Sequence, residues 1–324
     1  MNEVLRIFPR DLTEKLQNEI VTWDNLEEIR VRVMKPVELV FSTYSRIIKD
    51  MIPTESDAQF ILSQLSEHSI YRFEDELRQG YITIEGGHRV GISGKVNTEN
   101  GLVKAIRHLT FFNFRIAREV KNISQSYLPY LFEQNYLNTL LIGPPKCGKT
   151  TFLRDIVRFM SNGYQHFPPK KVGVIDERSE IAACKNGIPQ HDVGIRTDVM
   201  DACPKAEGMM MMIRSMSPDI LVVDEIGSEN DVKALLEALY AGVTVICSVH
   251  GSSIKEIRNR PSLYPLFQNK AFKRFITFSN QPKPGTIQSI ANESGHNQIL
   301  QTRGINNEMD RGNTTALRHH INRV

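Results

Sequence analysis

The chain has 324 residues and a mass of 37.0 kDa, enough for about two domains at roughly 150 residues each. Apolar residues make up 40% and charged residues 24%, which excludes wholesale disorder. The 40 Lys and Arg against 37 Asp and Glu leave a net charge of +3, too even to imply a nucleic-acid or membrane-binding surface. Cys147, Cys184, Cys203 and Cys247 are far apart and form no C-x-x-C pair, so a reducing cytoplasm is expected rather than a disulfide scaffold or zinc knuckle. The opening MNEVLRIFPRD carries acid early and lacks an apolar core, so no secretory leader is expected. The longest uncharged apolar stretch, residues 238–249, is too short for a membrane span, which needs roughly 20 residues. The chain is expected to be soluble, and to act on a membrane, if it does, from outside.

Residues 1–128 read as a mixed α+β unit. Residues 36–41 (PVELVF) form a strand, and Thr54 caps a helix with Ala58, Ile61, Leu62 and Leu65 on one face. Residues 71–78 make another short helix. YITI (81–84) and RVGI (89–92) flank Gly86 and Gly87 as a hairpin. Residues 103–119 add two more strands.

From 129 to 291 the pattern becomes strand, helix, strand. LNTLLIG (137–143) is a buried strand, 149–160 a helix, and 172–175 and 220–223 are short apolar strands. Helices between such runs imply a parallel sheet covered on both faces. Met209, Met212, Ile213 and Met216 make a core-facing helical stripe. Ser228 and Asp231 start a helix that runs to Tyr240, with Gly242 at its end. A strand follows at 244–249, and 272–278 and 286–291 are read as edge strands. Residues 292–324 turn polar and read as a mobile tail.

The chemistry is carried by Gly143-Pro144-Pro145-Lys146-Cys147-Gly148-Lys149-Thr150, a full G-x-x-x-x-G-K-[ST] match between a strand and a helix, followed by Thr151. The glycines let backbone N–H groups converge on phosphate oxygens, and the helix N-terminus adds partial positive charge. Lys149 would reach the β- and γ-phosphates, and Thr150 would hold Mg²⁺. A second apolar strand, 220–223, ends in Asp224 and Glu225. An Asp at a strand tip can order Mg²⁺, and a neighbouring Glu can activate the attacking water. The pair favours nucleotide hydrolysis over small-molecule phosphorylation, which would need an acceptor pocket. Asp176 and Glu177 end the strand 172–175 and face the same crevice, where one carboxylate could share the water-activating role. The alternative there is an Asp–Arg surface turn. His250 ends the strand 244–249, where a polar side chain could sense the γ-phosphate or be purely structural.

These residues together resemble the secretion ATPases of type II and type IV systems and pili, and more closely the stage III sporulation protein AA family of endospore-forming bacteria. The likeness runs over about residues 5–290. It is carried by EIRVR (28–32), FEDELRQGYITIEGGHRVGISGKV (73–96), FRIARE (114–119), GPPKCGKTT (143–151), IDERSEIA (175–182) and CPKAEGMMMMIRSMSPDILVVDEIG (203–227). It implies an α/β fold: a RecA-like P-loop ATPase domain behind a smaller α+β N-terminal domain. It also implies ATP and Mg²⁺ as ligands and assembly into a ring, usually a hexamer, with nucleotide between the two domains. Arginines of the N-terminal domain or of a neighbouring subunit would reach the phosphates. Arg107, Arg115 and Arg118 are the choices here, with Arg89 behind them. Asp176–Glu177 fall at the acidic box of those ATPases, Asp224–Glu225 at the Walker B strand and His250 at the His box. Many of those enzymes carry Gly before the Walker B Glu. Here Asp224 stands there, which leaves more than one carboxylate open as the base.

The resemblance implies a cytoplasmic motor, peripheral to membrane proteins of a sporulation channel or secretion complex between mother cell and forespore. Two other readings stay open: a RecA-like nucleic-acid-binding ATPase, which the thin charge excess supports little, and a nucleotide-gated scaffold that binds ATP without fast turnover.

Overall fold

The computed structural model describes residues 2–66, 80–99 and 102–299. The helix expected at 71–78, and residues 300–324 of the expected tail, lie outside the described residues.

The first unit is a six-stranded antiparallel sheet with helices on one face. Helices α1 (Asn2–Leu5), α2 (Arg10–Glu19) and α3 (Glu55–Leu65) accompany strands β1 (Leu26–Arg32), β2 (Val37–Phe41), β3 (Ser45–Ile48), β4 (Tyr81–Thr83), β5 (Arg89–Glu99) and β6 (Leu102–Arg115), in the order β3-β2-β1-β6-β5-β4. Alternation does the sorting. Ile29 and Val31 of β1, Val37 and Leu39 of β2, Val90 of β5 and Phe112 and Phe114 of β6 point to one side and are buried against Leu12, Leu16 and Ile61. Helix α3 starts with a capping box: the Thr54 hydroxyl accepts the Asp57 N–H, and the Asp57 carboxylate accepts the Thr54 N–H at 2.7 Å. The hairpin around Gly86 and Gly87 is present, and Gly86 sits at φ +81°. The two strands expected within 103–119 are the single long strand β6, because β5 pairs with it along nearly its whole length, and residues 116–119 lie past its end.

The second sheet has seven strands: β7 (Thr139–Gly143), β8 (Val172–Asp176), β9 (Thr197–Asp201), β10 (Ile220–Val223), β11 (Thr244–His250), β12 (Arg274–Ser279) and β13 (Thr286–Asn292). Their order is β13-β12-β7-β11-β10-β8-β9. All neighbours run parallel except the β12–β13 pair. Helices α4 (Lys149–Asn162), α5 (Lys205–Met216) and α6 (Glu229–Tyr240) cover the faces, with the short α7 (Ile254–Arg258) and α8 (Tyr264–Gln268) beyond them. Alternate strand residues feed two separate cores. Leu141, Val174, Val222 and Ile246 pack on Leu153 and Ile156 of α4. Leu140, Ile175, Leu221 and Cys247 pack on Met209, Met212 and Leu235 of α5 and α6. Met209 and Met212 are core, Ile213 is half-buried, and Met216, at the helix end, is 44% exposed. Ser228 and Asp231 form the capping box of α6. Strand β12 is interior rather than an edge, since β7 flanks it on one side and β13 on the other. Residues 292–299 of the expected tail fold back on β13, where the Gln298 N–H donates to the Ile290 carbonyl at 2.6 Å. No helix among the described residues is long and apolar enough to cross a membrane.

The two units meet along a polar seam. Arg89 of β5 donates to the carbonyls of Arg178 (2.7 Å) and Ser179 (2.8 Å) and pairs with Glu180 at 3.3 Å. The Gly86 N–H donates to Gln190 Oε1 at 3.0 Å, and Lys121 pairs with Asp192 at 2.8 Å.

Candidate nucleotide site

Strand register assembles the site at the C-terminal ends of the parallel strands, where such sheets bind ligands. Gly143 of β7 lies opposite His250 of β11, Cys247 opposite Val223, and Val223 opposite Ile175. One residue further on, Ser248, Asp224 and Asp176 therefore stand side by side.

The loop after β7 turns tightly. Lys146 is at φ +58° and Gly148 at φ +92°. A Cβ on Gly148 would lie 3.1 Å from the Gly285 nitrogen, and one on Gly143 would lie 2.6 Å from Cys147 Sγ. The loop thus closes on itself and on residues 284–285. Helix α4 then begins at Lys149 with no side-chain cap, in contrast to α3 and α6. Its first amides stay available as donors at the positive end of a 14-residue helix dipole, the makings of an anion site. Lys149 is buried, and its ammonium donates to the Gly143 and Pro144 carbonyls at 2.9 Å each. It also lies 3.3 Å from His250 Nδ1.

Thr150 Oγ1 donates to Asp224 Oδ2 at 2.6 Å. Two hard oxygen ligands, one hydroxyl and one carboxylate, fit Mg²⁺, which keeps most of its shell as water and phosphate oxygen. Among the described residues no group of three or more His, Cys, Asp and Glu is placed to hold a metal by itself. Glu225, at φ +54°, turns its carboxylate to His250 Nε2 at 2.7 Å and to the guanidinium of Arg178.

Asp176 is held by its own loop. It is buried, and its carboxylate accepts the N–H groups of Glu180 (2.8 Å), Ile181 (2.9 Å) and Ala182 (2.8 Å). Both oxygens tie down the turn after β8. Burial raises its pKa above the ordinary carboxylate value, against those amides. Glu177 points outward and pairs with Lys205 of α5.

The expected arginines separate. Arg115 and Arg118 line a cavity of about 320 Å³ between the two units, together with Arg89, Thr150, Thr151 and Arg154. Arg118 also donates to the Leu26 carbonyl at 2.9 Å. Arg107 is on β6 opposite Lys95, about 25 Å along the strand from Arg115 at the ordinary rise. Arg154 escaped the sequence reading. It is buried on α4 and donates to the carbonyls of Ile181 (2.5 Å) and Glu180 (2.6 Å). Its spacing from Thr150, one helical turn, was the available signal. A larger cavity of about 510 Å³, lined by Phe267, Phe272 and Phe275, lies toward the opposite end of the strands. It holds none of these groups.

A looped helix N-terminus and strand-tip carboxylates on a parallel sheet define a protein of RecA-like P-loop fold. The solved structures agree at the level of fold. The pilus retraction motor PilT with bound ADP superposes with a TM-score of 0.59 at 16% identity, covering 89% of this chain and 81% of that one. The ATPase DotB of Legionella pneumophila gives 0.52 at 15% identity, covering 78% and 72%. Residues 1–298 match the family described as "Sporulation stage III, protein AA", and the chain belongs to that family. It is 50% identical over 307 residues to stage III sporulation protein AA of Bacillus subtilis (strain 168), covering 94% of this chain and 99% of that protein.

Proposed function

We propose that this chain is an ATP-hydrolysing motor of the secretion-ATPase type that works during sporulation. The observation that carries the reading is the 2.6 Å contact of Thr150 with Asp224 beside the uncapped start of α4. A phosphate cradle and a hard-metal oxygen pair there occupy one spot.

In this reading the triphosphate lies on the amides of residues 143–151, and Lys149 exchanges carbonyl partners for phosphate oxygens. Mg²⁺ supplies charge neutralisation and a template when bound. Thr150 and Asp224 would hold it. Glu225 takes a proton from the water that attacks the γ-phosphorus as the bond to the bridging oxygen breaks and ADP leaves. His250 keeps Glu225 and Lys149 in register. Arg89, Arg115 and Arg118 reach across from the first unit, so hydrolysis is felt at the seam. We take residues 1–128 and 129–291 as the two moving units. The motor assembles as a ring, by preference a hexamer, on the cytoplasmic side of a membrane channel complex.

The test is retention of labelled ATP and phosphate release, with Mg²⁺ supplied. Lys149→Ala removes a charged phosphate contact of about 1.5–3 kcal/mol and should weaken retention roughly 10- to 100-fold, with turnover lost. Wild-type turnover in that variant would overturn the reading.

A further inference from the structure

Ser248 of β11 is wholly buried, one residue past the strand partner of Val223. Its hydroxyl oxygen accepts the Glu225 N–H at 2.9 Å and is hydrogen-bonded to Asp224 Oδ1. An amide N–H only donates and a carboxylate only accepts, so the hydroxyl proton must point at Asp224. The Ser248 carbonyl takes the Ile226 N–H at 2.9 Å. Three consecutive residues, 224 to 226, therefore hang on this one serine.

Two consequences follow from that geometry. With Oδ1 engaged by Ser248, Oδ2 of Asp224 is the oxygen that faces Thr150. The Glu225 backbone, at φ +54°, is in a region that a residue bearing a Cβ adopts only when its surroundings hold it there. That turn is what carries the Glu225 carboxylate to His250.

We infer that Ser248 is a positioning residue for metal-assisted nucleotide hydrolysis: it aims the Asp224 carboxylate at the metal shared with Thr150 and locks the turn that presents Glu225. The inference rests on the hydrolysis reading above. A purely structural serine would weaken the fold without regard to metal, whereas an aiming serine acts through Mg²⁺.

Full-length wild type, Ser248→Ala and Ser248→Thr would be compared by binding of a fluorescent ADP, with and without chelator, by Mg²⁺ titration of that binding, and by steady-state phosphate release. For Ser248→Ala the Mg²⁺ concentration at half-saturation should rise and kcat should fall, each about 10- to 100-fold. Affinity for metal-free nucleotide should stay close to wild type, which also shows that the variant folds. Ser248→Thr keeps the hydroxyl and should recover most of both losses. A Ser248→Ala protein with wild-type Mg²⁺ dependence and kcat would overturn the inference, as would one weakened equally with and without Mg²⁺. Failure of the wild type to bind nucleotide in a Mg²⁺-dependent way would instead remove the hydrolysis reading, and this inference with it.

Discussion

Nε2 of His250 lies 2.7 Å from Oε1 of Glu225, while the other ring nitrogen faces the Lys149 ammonium at 3.3 Å. In a neutral ring only one tautomer serves both neighbours: Nε2–H donates to the carboxylate and Nδ1 accepts from the lysine. His250 thus connects Lys149 to the strand-tip carboxylate through one rigid ring. Arg178 takes the second Glu225 oxygen, so both are engaged in this state.

Glu225→Gln keeps the shape but loses the proton acceptor. Phosphate release should fall roughly 100- to 10,000-fold while labelled ATP is still retained. Unchanged release would move the base to another residue.

Asp176 and Glu177 should behave in opposite ways. Asp176→Asn puts an NH₂ group among amides that need acceptors, and should cost about 1–3 kcal/mol of stability. Glu177→Gln, on the surface, should change stability by no more than about 0.5 kcal/mol. Urea melts of both variants check this. An Asp176→Asn protein as stable as wild type would reopen Asp176 for a catalytic role.

Arg89 ties the seam through two backbone carbonyls and Glu180, while the Tyr81 ring of its own unit lies 5.1 Å away. Arg89→Ala should loosen the units. Limited proteolysis within residues 117–125 should speed up, and kcat should drop more than nucleotide affinity. Cleavage at the wild-type rate would mean that Lys121 and Gly86 hold the seam without it.

His191 is buried at the same seam, and burial, followed by the nearby Arg154 charge, pushes its pKa down to about 4. The unfolded chain takes up a proton near pH 6.5 and the folded one does not. Stability present above that pH is therefore lost as pH falls from about 6.5 toward 4, by at most about 1.4 kcal/mol per pH unit. His191→Gln should flatten this slope in urea melts between pH 4.5 and 7. His88, also held low by burial, stays in both proteins and cancels in the comparison. Identical slopes would exclude His191 as the source.

The phosphate loop, its strand and its helix were readable from residues 137–162 because every constraint there is local: glycines where the chain turns sharply, an apolar run before them, a helix after them. The caps at Thr54 and Ser228 were readable for the same reason, since a capping box spans four residues. What residue order alone could not decide was the division of labour among like groups. Asp176 and Asp224 both end apolar strands, yet one is enclosed by three amides of its own loop while the other meets Thr150 across 74 residues of chain. The same holds for Arg115, which lines the cavity between the units at the end of a strand whose register sets Arg107 opposite Lys95. Ser248 and Arg154 acquire their partners only when separate strands and loops come side by side. Local chemistry set the elements and the phosphate cradle. Strand order and register, which depend on long-range packing, decided which carboxylate and which cation face it.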